Sequence, residues 1–195
     1  MYDKVQPTDI VQGSLGTCYL LSSLSALARR PAFIRRLFDG PSVNPQGINC
    51  VWLNINGIWK QIVVDNVFPT SKDGQDTFYM GSARDSDRWV NFVEKAYAKA
   101  FGSYQIVDGG FEIEALRDLT GAPYEKIAGE DFSNANKTWY KVQKADRKGY
   151  LMVTSTEGQE EREAERDDGL YSGHAYSLVG CAEVIGSDKK KYRIV

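Results

Sequence analysis

Histidine is almost absent from this sequence, since His174 is the only one among 195 residues. Any reaction that needs an imidazole must therefore use this side chain. Cysteine is also scarce: Cys18, Cys50 and Cys181 lie far apart and form no C-x-x-C pair. The spacing typical of zinc sites and dithiol redox sites is therefore missing. An odd number of widely spaced cysteines favours free thiols in a reducing compartment.

A surplus of basic charge and long apolar runs are missing as well. The formal net charge is −2 at pH 7, which leaves no positive surplus of the kind that nucleic-acid-binding proteins use against phosphates. No apolar run approaches the roughly 18 residues that a membrane-spanning helix needs, and the first residues do not resemble a signal peptide. With 42% hydrophobic residues, the composition is that of a soluble globular protein. We expect no nucleic-acid partner and no stable membrane insertion.

Three stretches have apolar residues at the spacing of one buried helix face. The first predicted helix begins near Cys18 and ends at about Pro31. The other two are 85–102, with an Asp or Ser cap in front and Gly102 as its stop, and 109–121, which ends in a glycine.

Strand-forming residues dominate two other parts of the chain. β-Branched and aromatic residues on both sides of Asn56-Gly57 predict a hairpin over 51–64, because this dipeptide readily adopts the positive φ angles of a tight turn. Nearer the C-terminus the predicted strands are 150–154, 174–185 and 192–195. We therefore predict an α+β fold with two lobes, 1–120 and 121–195, and a cleft between them.

Cys18 and His174 could share nucleophilic chemistry. A thiol attacks an acyl group as the thiolate, and both a helix N-terminus and a neighbouring imidazolium lower the pKa of a thiol. Cys18 lies at a predicted helix N-terminus after Gly13 and Gly16, which permit a tight turn. Gln12, six residues upstream, could donate a hydrogen bond to an oxyanion. His174, 156 residues further on, would be the general base.

Both residues also have structural interpretations. A cysteine at the start of an amphipathic helix is more often a small buried hydrophobe than a nucleophile. A single histidine is likewise more often packed in the protein or exposed on its surface than catalytic. Papain-like cysteine peptidases have an interval of about 130–150 residues between cysteine and histidine, which is close to the interval here. Spacing alone does not decide between the two interpretations.

Four blocks of the sequence resemble the catalytic core of the calpain cysteine peptidases. They are TDIVQGSLGTCYLLSSLSALA (8–28), RWVNFVEKAYAKAFGSYQIVDGGF (88–111), LTGAP (119–123) and GLYSGHAYSLVGCAEV (169–184). The resemblance implies a papain-like fold, with a mainly helical N-terminal lobe that carries the nucleophile and a β-rich C-terminal lobe that carries the histidine. It also implies a calcium-dependent cysteine endopeptidase that acts on protein or peptide substrates. We expect a cytoplasmic monomer, with any regulatory domains outside this chain.

The resemblance also assigns roles to individual residues. By motif position Cys18 would be the nucleophile, His174 the base and Gln12 the oxyanion donor. Asp9 of the TDI triplet and Glu94 of the EKAY segment align with side-chain ligands of the family's calcium site in the N-terminal lobe. Two carboxylates supply fewer oxygens than the six to eight that Ca²⁺ takes, so backbone carbonyls and water would complete the shell. Without the resemblance, Asp9 is as readily a turn or cap residue and Glu94 the solvent side of a helix.

The sequence departs from the family pattern near its C-terminus. The third catalytic residue of the family is an asparagine roughly two dozen residues beyond the histidine, where it orients the imidazole. Only 21 residues follow His174 here. Two hypotheses follow: the chain is a protease core with a truncated C-terminal lobe, or it is a pseudoprotease that binds peptide or protein in its cleft without cleaving it. A cysteine-dependent acyltransferase shares the Cys-His logic but does not explain the TDI and EKAYAK blocks.

Overall fold

The computed structural model describes residues 4–70, 79–82, 87–127, 132–158 and 164–195. The helices in these ranges are α1 (Cys18–Ala28), α2 (Pro31–Arg35), α3 (Trp89–Phe101), α4 (Glu112–Thr120) and α5 (Ala135–Arg147). The strands are β1 (Ile10–Val11), β2 (Asn49–Ile55), β3 (Ile58–Val64), β4 (Gly81–Ser82), β5 (Met152–Ser155), β6 (Ala175–Leu178), β7 (Ala182–Ile185) and β8 (Lys191–Ile194). A 3₁₀ turn, Pro7–Asp9, precedes β1.

The described strands pair antiparallel in four two-stranded sheets. The pairs are β1 with β4, β2 with β3, β5 with β6 and β7 with β8. This combination of helices and antiparallel sheets confirms the predicted α+β class. None of the helices in the described ranges is long and apolar enough to cross a membrane.

Helix α1 lies at the centre of the hydrophobic core. Nine of its 11 residues are buried, and it contacts α2, α4, β5 and β6. The predicted start at Cys18 is confirmed, and the helix ends at Ala28. Pro31 then begins α2, because the first position of a helix tolerates a residue without an N–H group. Packing in the core therefore holds α1 in place. This helix carries the candidate nucleophile, Cys18, at its first position.

The predicted hairpin is confirmed as β2 and β3. Asn56 and Gly57 connect the strands with φ angles of 53° and 81°, the positive values of a type I′ turn. Side chains on one face of β2, including Val51 and Leu53, are buried, and the sheet contacts α3 and α4. The hairpin therefore supports the two helices that follow it in the chain.

Helices α3 and α4 confirm two of the predicted helices, but they begin at Trp89 and Glu112, later than in the predicted ranges 85–102 and 109–121. Helix α3 stops before Gly102, whose φ is 123°, and α4 stops before Gly121 in the left-handed conformation. Residues 85 and 86 of the predicted helix 85–102 lie outside the described residues. The predicted Asp or Ser cap is wrong, because Arg88 is the N-cap residue of α3, and its side chain makes no capping hydrogen bond.

The last third of the chain holds a helix that the sequence patterns did not predict. Asn134 caps α5, and its side-chain oxygen accepts hydrogen bonds from the backbone N–H groups of Asn136 and Lys137, each at 3.1 Å. The prediction of a single strand over 174–185 is also wrong, because β6 and β7 are separate strands. Asp146 of α5 accepts a hydrogen bond from the backbone N–H of Cys181 in the connection between them, at 3.3 Å.

Candidate active site

A cleft of about 230 Å³ lies beside α1 and β6, and three predicted site residues line it. Gln12, Cys18 and His174 contribute to its wall although His174 is distant from the others in the sequence. The other lining residues are Pro7, Ile10, Leu21, Ser22, Ser25, Ala175, Tyr176 and Ser177. The fold therefore brings a thiol, an imidazole and an amide to one concave surface.

Cys18 occupies the first position of α1, is partly exposed and forms no disulfide bond. The residue in front, Thr17, is the N-cap, and its carbonyl accepts hydrogen bonds from the N–H groups of Leu20 and Leu21, each at 2.9 Å. The N–H groups of the first turn lack partners within a helix, and they create a partial positive charge. This position favours the thiolate form of a cysteine.

The side chain of Thr17 links the start of α1 to Glu94 on α3. Its hydroxyl donates a hydrogen bond to Glu94 Oε1 at 3.1 Å, and the backbone N–H of Met80 donates to Glu94 Oε2 at 3.0 Å. Only 2% of Glu94 is exposed, so the interpretation as a solvent-side residue is wrong. Burial raises the pKa of Glu94 to about 7, although the two hydrogen bonds act in the opposite direction.

His174 lies directly before β6 and is held by its backbone and its ring. Its N–H donates to the Thr156 hydroxyl at 3.1 Å, and its carbonyl accepts from the Thr156 N–H at 3.0 Å. The ring of Tyr176 meets the imidazole edge-on, with ring centres 5.0 Å apart. The centre of the Tyr171 ring lies 6.1 Å from the centre of the imidazole. A base must be oriented against its nucleophile, and these contacts restrict both the backbone and the ring.

Gln12 lies in the cleft with its side-chain amide directed at the turn before α1. Its Nε2 donates to the carbonyl of Leu15 at 3.3 Å. A primary amide carries two N–H groups, so this bond engages one of them. The position is compatible with a second donation to a substrate oxygen in the cleft.

The two other thiols lie outside the cleft, and their surroundings raise the pKa of each. Burial raises the pKa of Cys50, and the nearby carboxylate of Asp39 adds to the effect. Burial also raises the pKa of Cys181, whose Sγ lies 3.6 Å from Asp146 Oδ2. Neither cysteine lines the cleft. Because the thiolate is the reactive form, these two environments disfavour nucleophilic chemistry.

The predicted calcium ligands are both buried carboxylates near the same small sheet. Asp9, which is 2% exposed, accepts a hydrogen bond from the Gln6 N–H at 2.7 Å and directly precedes β1. Strand β1 pairs with β4, and Met80 in front of β4 donates to Glu94. Buried carboxylate oxygens suit Ca²⁺. Within the described ranges, however, no three His, Cys, Asp or Glu side chains form a group that could hold a metal ion, so other oxygens would have to contribute.

Two serines in the cleft were missed by reasoning from the sequence. The Ser177 hydroxyl donates to the Ser25 hydroxyl at 3.2 Å and so connects β6 to α1. Ser25 follows Cys18 by two helical turns, and Ser177 follows His174 by three residues. Helical periodicity could have placed Ser25 on the face of α1 that carries Cys18, whereas the odd spacing between His174 and Ser177 gives no such signal in a strand.

Comparison with known proteins decides the family. A family model described as calpain family cysteine protease matches residues 1–195. The chain belongs to the calpain family. Three of its relatives are the calpain-type cysteine protease ADL1 of Oryza sativa subsp. japonica, calpain clp-1 of Caenorhabditis elegans and calpain-9 of Homo sapiens. Their identities to this calpain-family chain are 33% over 189 residues, 35% over 183 residues and 34% over 183 residues.

These alignments cover most of this chain and a small part of each relative. They include 94% of the chain for the rice protein and 91% for the nematode and human proteins. The corresponding shares of the relatives are 9%, 23% and 26%. The calpain-family chain therefore spans about a quarter or less of these relatives, and family membership supports a cysteine peptidase.

Proposed function

We propose that this calpain-family chain is the papain-like core of a calcium-dependent cysteine endopeptidase. The observation that carries the proposal is the shared cleft in which Cys18, His174 and Gln12 meet. Family membership supports cysteine peptidase chemistry, and the position of Cys18 at the start of α1 supports its role as nucleophile. A cytoplasmic, monomeric protein that acts on protein or peptide substrates remains part of the proposal.

The proposed reaction begins with attack of the Cys18 thiolate on the carbonyl carbon of a peptide bond. His174 holds the proton taken from the thiol and transfers it to the departing amine, so that a thioester and a free amine form. Gln12 and the N–H groups at the start of α1 would donate hydrogen bonds to the oxyanion. Water, deprotonated by His174, then attacks the thioester and releases the acid and the thiol.

Calcium enters the proposal through Asp9 and Glu94. Both are buried carboxylates, and a bound divalent cation supplies positive charge that offsets the cost of burying them. Glu94 also accepts the hydrogen bond from Thr17, the residue directly before Cys18. A cation that holds the Glu94 carboxylate in place would therefore also restrain Thr17, the residue next to the nucleophile.

Hydrolysis of a fluorogenic peptide tests the peptidase proposal. We expect turnover by the wild-type chain with Ca²⁺ and a loss of at least about 1,000-fold in Cys18→Ala and His174→Ala, because these groups act as a unit. Cys50→Ala is the matched thiol control and should keep full activity. Peptide binding without turnover, by a wild type whose Cys18 is no more reactive toward iodoacetamide than Cys50, would contradict the proposal and support the alternative, a catalytically inactive peptide-binding module.

Calorimetry tests the calcium proposal separately. Asp9→Asn and Glu94→Gln preserve side-chain size and should weaken Ca²⁺ binding at pH 7.5, whereas Glu125→Ala, on an exposed segment, should not. Unchanged Ca²⁺ affinity in both isosteric variants would remove these two residues from the site.

A further inference from the structure

Residues 107–110, here called the clasp loop, contact the chain on both sides of Cys18. The backbone N–H of Gly16 donates to the carboxylate of Asp108 at 2.9 Å. The N–H of Gly109 donates to the carbonyl of Gly16, also at 2.9 Å. Both polar backbone groups of Gly16 are therefore engaged by a loop that lies about 90 residues further along the chain.

The residue after the nucleophile is held by the same loop. The hydroxyl of Tyr19 donates to the carbonyl of Val107 at 3.1 Å, and both residues are almost fully buried. The Tyr19 ring also packs so closely on Gly110 that a Cβ there would lie 2.6 Å from a ring carbon. Such a contact excludes any larger residue at position 110. The clasp loop thus fixes Tyr19 by a hydrogen bond and by packing.

Gly16 needs this support because its backbone is intrinsically mobile. It lies at the centre of a three-residue turn that the Thr17 N–H closes on the Leu15 carbonyl, at 2.8 Å. Glycine has more accessible conformations than any other residue, so an unsupported glycine next to the N-cap would loosen the start of α1. A carboxylate is a strong acceptor for a backbone N–H, which suits it to hold one peptide orientation.

We propose that Asp108 is a positioning residue that holds the Cys18 thiol at the N-terminus of α1. It acts through Gly16 and Thr17 and does not touch the reacting atoms. Thr17 is held from its other side by Glu94, so two carboxylates, one on α3 and one after it, anchor the two residues before the nucleophile. This inference rests on the proposed function, because it concerns the reactivity of Cys18.

Two substitutions distinguish the role of Asp108 as a hydrogen-bond acceptor from the role of its negative charge. Asp108→Ala and Asp108→Asn remove the same charge, but only the asparagine keeps an oxygen that can accept from the Gly16 N–H. If Asp108 positions the thiol, Cys18 should react at different rates in these two variants. If Asp108 acts only through its charge, the two rates should be equal.

The decisive experiment measures the rate of Cys18 alkylation by iodoacetamide between pH 5 and pH 9, with the site identified by peptide mass spectrometry. We expect Cys18 to react on the order of fivefold more slowly at pH 7 in Asp108→Ala than in Asp108→Asn, the effect of one lost hydrogen bond. The pH midpoint should also be higher in the alanine variant, because the thiol is less well aligned with the helix N-terminus. Asp188→Ala is the matched control, since Asp188 likewise accepts a backbone N–H in an exposed turn.

Equal rates in folded Asp108→Ala and Asp108→Asn would overturn the proposal. If either variant fails to fold, hydrogen exchange of the Gly16 amide in the wild type decides the matter. Exchange at least tenfold slower than in an unstructured peptide of the same sequence supports the hydrogen bond between Gly16 and the clasp loop. Exchange at the peptide rate overturns the proposal. If wild-type Cys18 reacts no faster than Cys50 or Cys181, the proposed function fails, while the Gly16 amide still reports on the clasp.

Discussion

At the scale of single residues, Glu94 connects the buried core to the helix that carries the proposed nucleophile. Its carboxyl group is buried on α3, yet it accepts hydrogen bonds from the N-cap of the nucleophile helix and from the segment before β4. Its ordinary pKa of 4.5 is raised to about 7, with burial as the largest cause. In the absence of calcium, the charged form of Glu94 therefore opposes folding near neutral pH.

The pKa of Glu94 predicts a specific pH dependence of stability. The folded pKa lies above the unfolded value, so between about pH 4.5 and 7 the folded chain binds more protons and its free energy of unfolding falls as pH rises. Glu94→Gln removes this titration. In a calcium-chelating buffer, the wild-type free energy of unfolding relative to Glu94→Gln should fall by on the order of 3 kcal/mol across this interval.

Urea unfolding of both proteins at pH 5 and pH 7.5 measures this difference. The comparison with Glu94→Gln cancels groups that titrate equally in the two proteins. If the difference in the free energy of unfolding between wild type and variant does not change with pH, burial does not raise the pKa of Glu94.

At the scale of secondary structure, the turn between β2 and β3 offers a clean test of backbone conformation. Gly57 has a φ of 81° and no atom near the position of an added Cβ. Gly57→Ala should therefore reduce the free energy of unfolding by about 1 kcal/mol through backbone strain alone. Gly40→Ala is the matched control, because Gly40 also has open space but no positive φ.

Thermal or urea unfolding of the two glycine variants gives the answer. Gly40→Ala should be neutral or slightly stabilising, since alanine reduces the freedom of the unfolded chain. Equal effects of the two substitutions would contradict the assignment of a strained left-handed position to Gly57.

The elements that could be predicted from the sequence are those with strong local signals. Helix α1 has a continuous apolar face, and the hairpin has an Asn-Gly turn between strand-forming residues. Helix α5 was missed because only its Trp139 is buried, so its apolar pattern is weak. Its ends were nevertheless encoded, by Asn134 at the cap and by Gly149 with a φ of 70° just beyond the last turn.

At the scale of the whole molecule, the contacts that build the site join residues far apart in the chain. Family motifs identified Cys18 and His174 as candidates, but no local pattern indicates that Thr17 bonds to Glu94 or that Gly16 bonds to Asp108. Those contacts depend on how α1, α3 and the clasp loop pack together. Sequence motifs therefore predicted the candidate reacting groups, and only the tertiary structure identifies the groups that position them.

The Ser25–Ser177 hydrogen bond predicts energetic coupling between the nucleophile helix and the histidine strand. Ser25→Ala and Ser177→Ala, made singly and together, should show a coupling free energy of about 0.5–1 kcal/mol in urea unfolding. Ser22→Ala is the control partner, because the Ser22 hydroxyl bonds to the Tyr19 carbonyl within α1. Strict additivity of the Ser25 and Ser177 substitutions would mean that this bond does not link the two elements.

The relative alkylation rates of the three cysteines, in the wild type and in His174→Ala, test the central claim that Cys18 and His174 form one reactive pair. At pH 7, Cys18 should react with iodoacetamide at least tenfold faster than Cys50 and Cys181, whose pKa values are raised. Replacing His174 should slow Cys18 alone. Equal labelling of all three thiols in the folded protein, or a Cys18 rate that does not change in His174→Ala, would contradict a Cys-His catalytic pair.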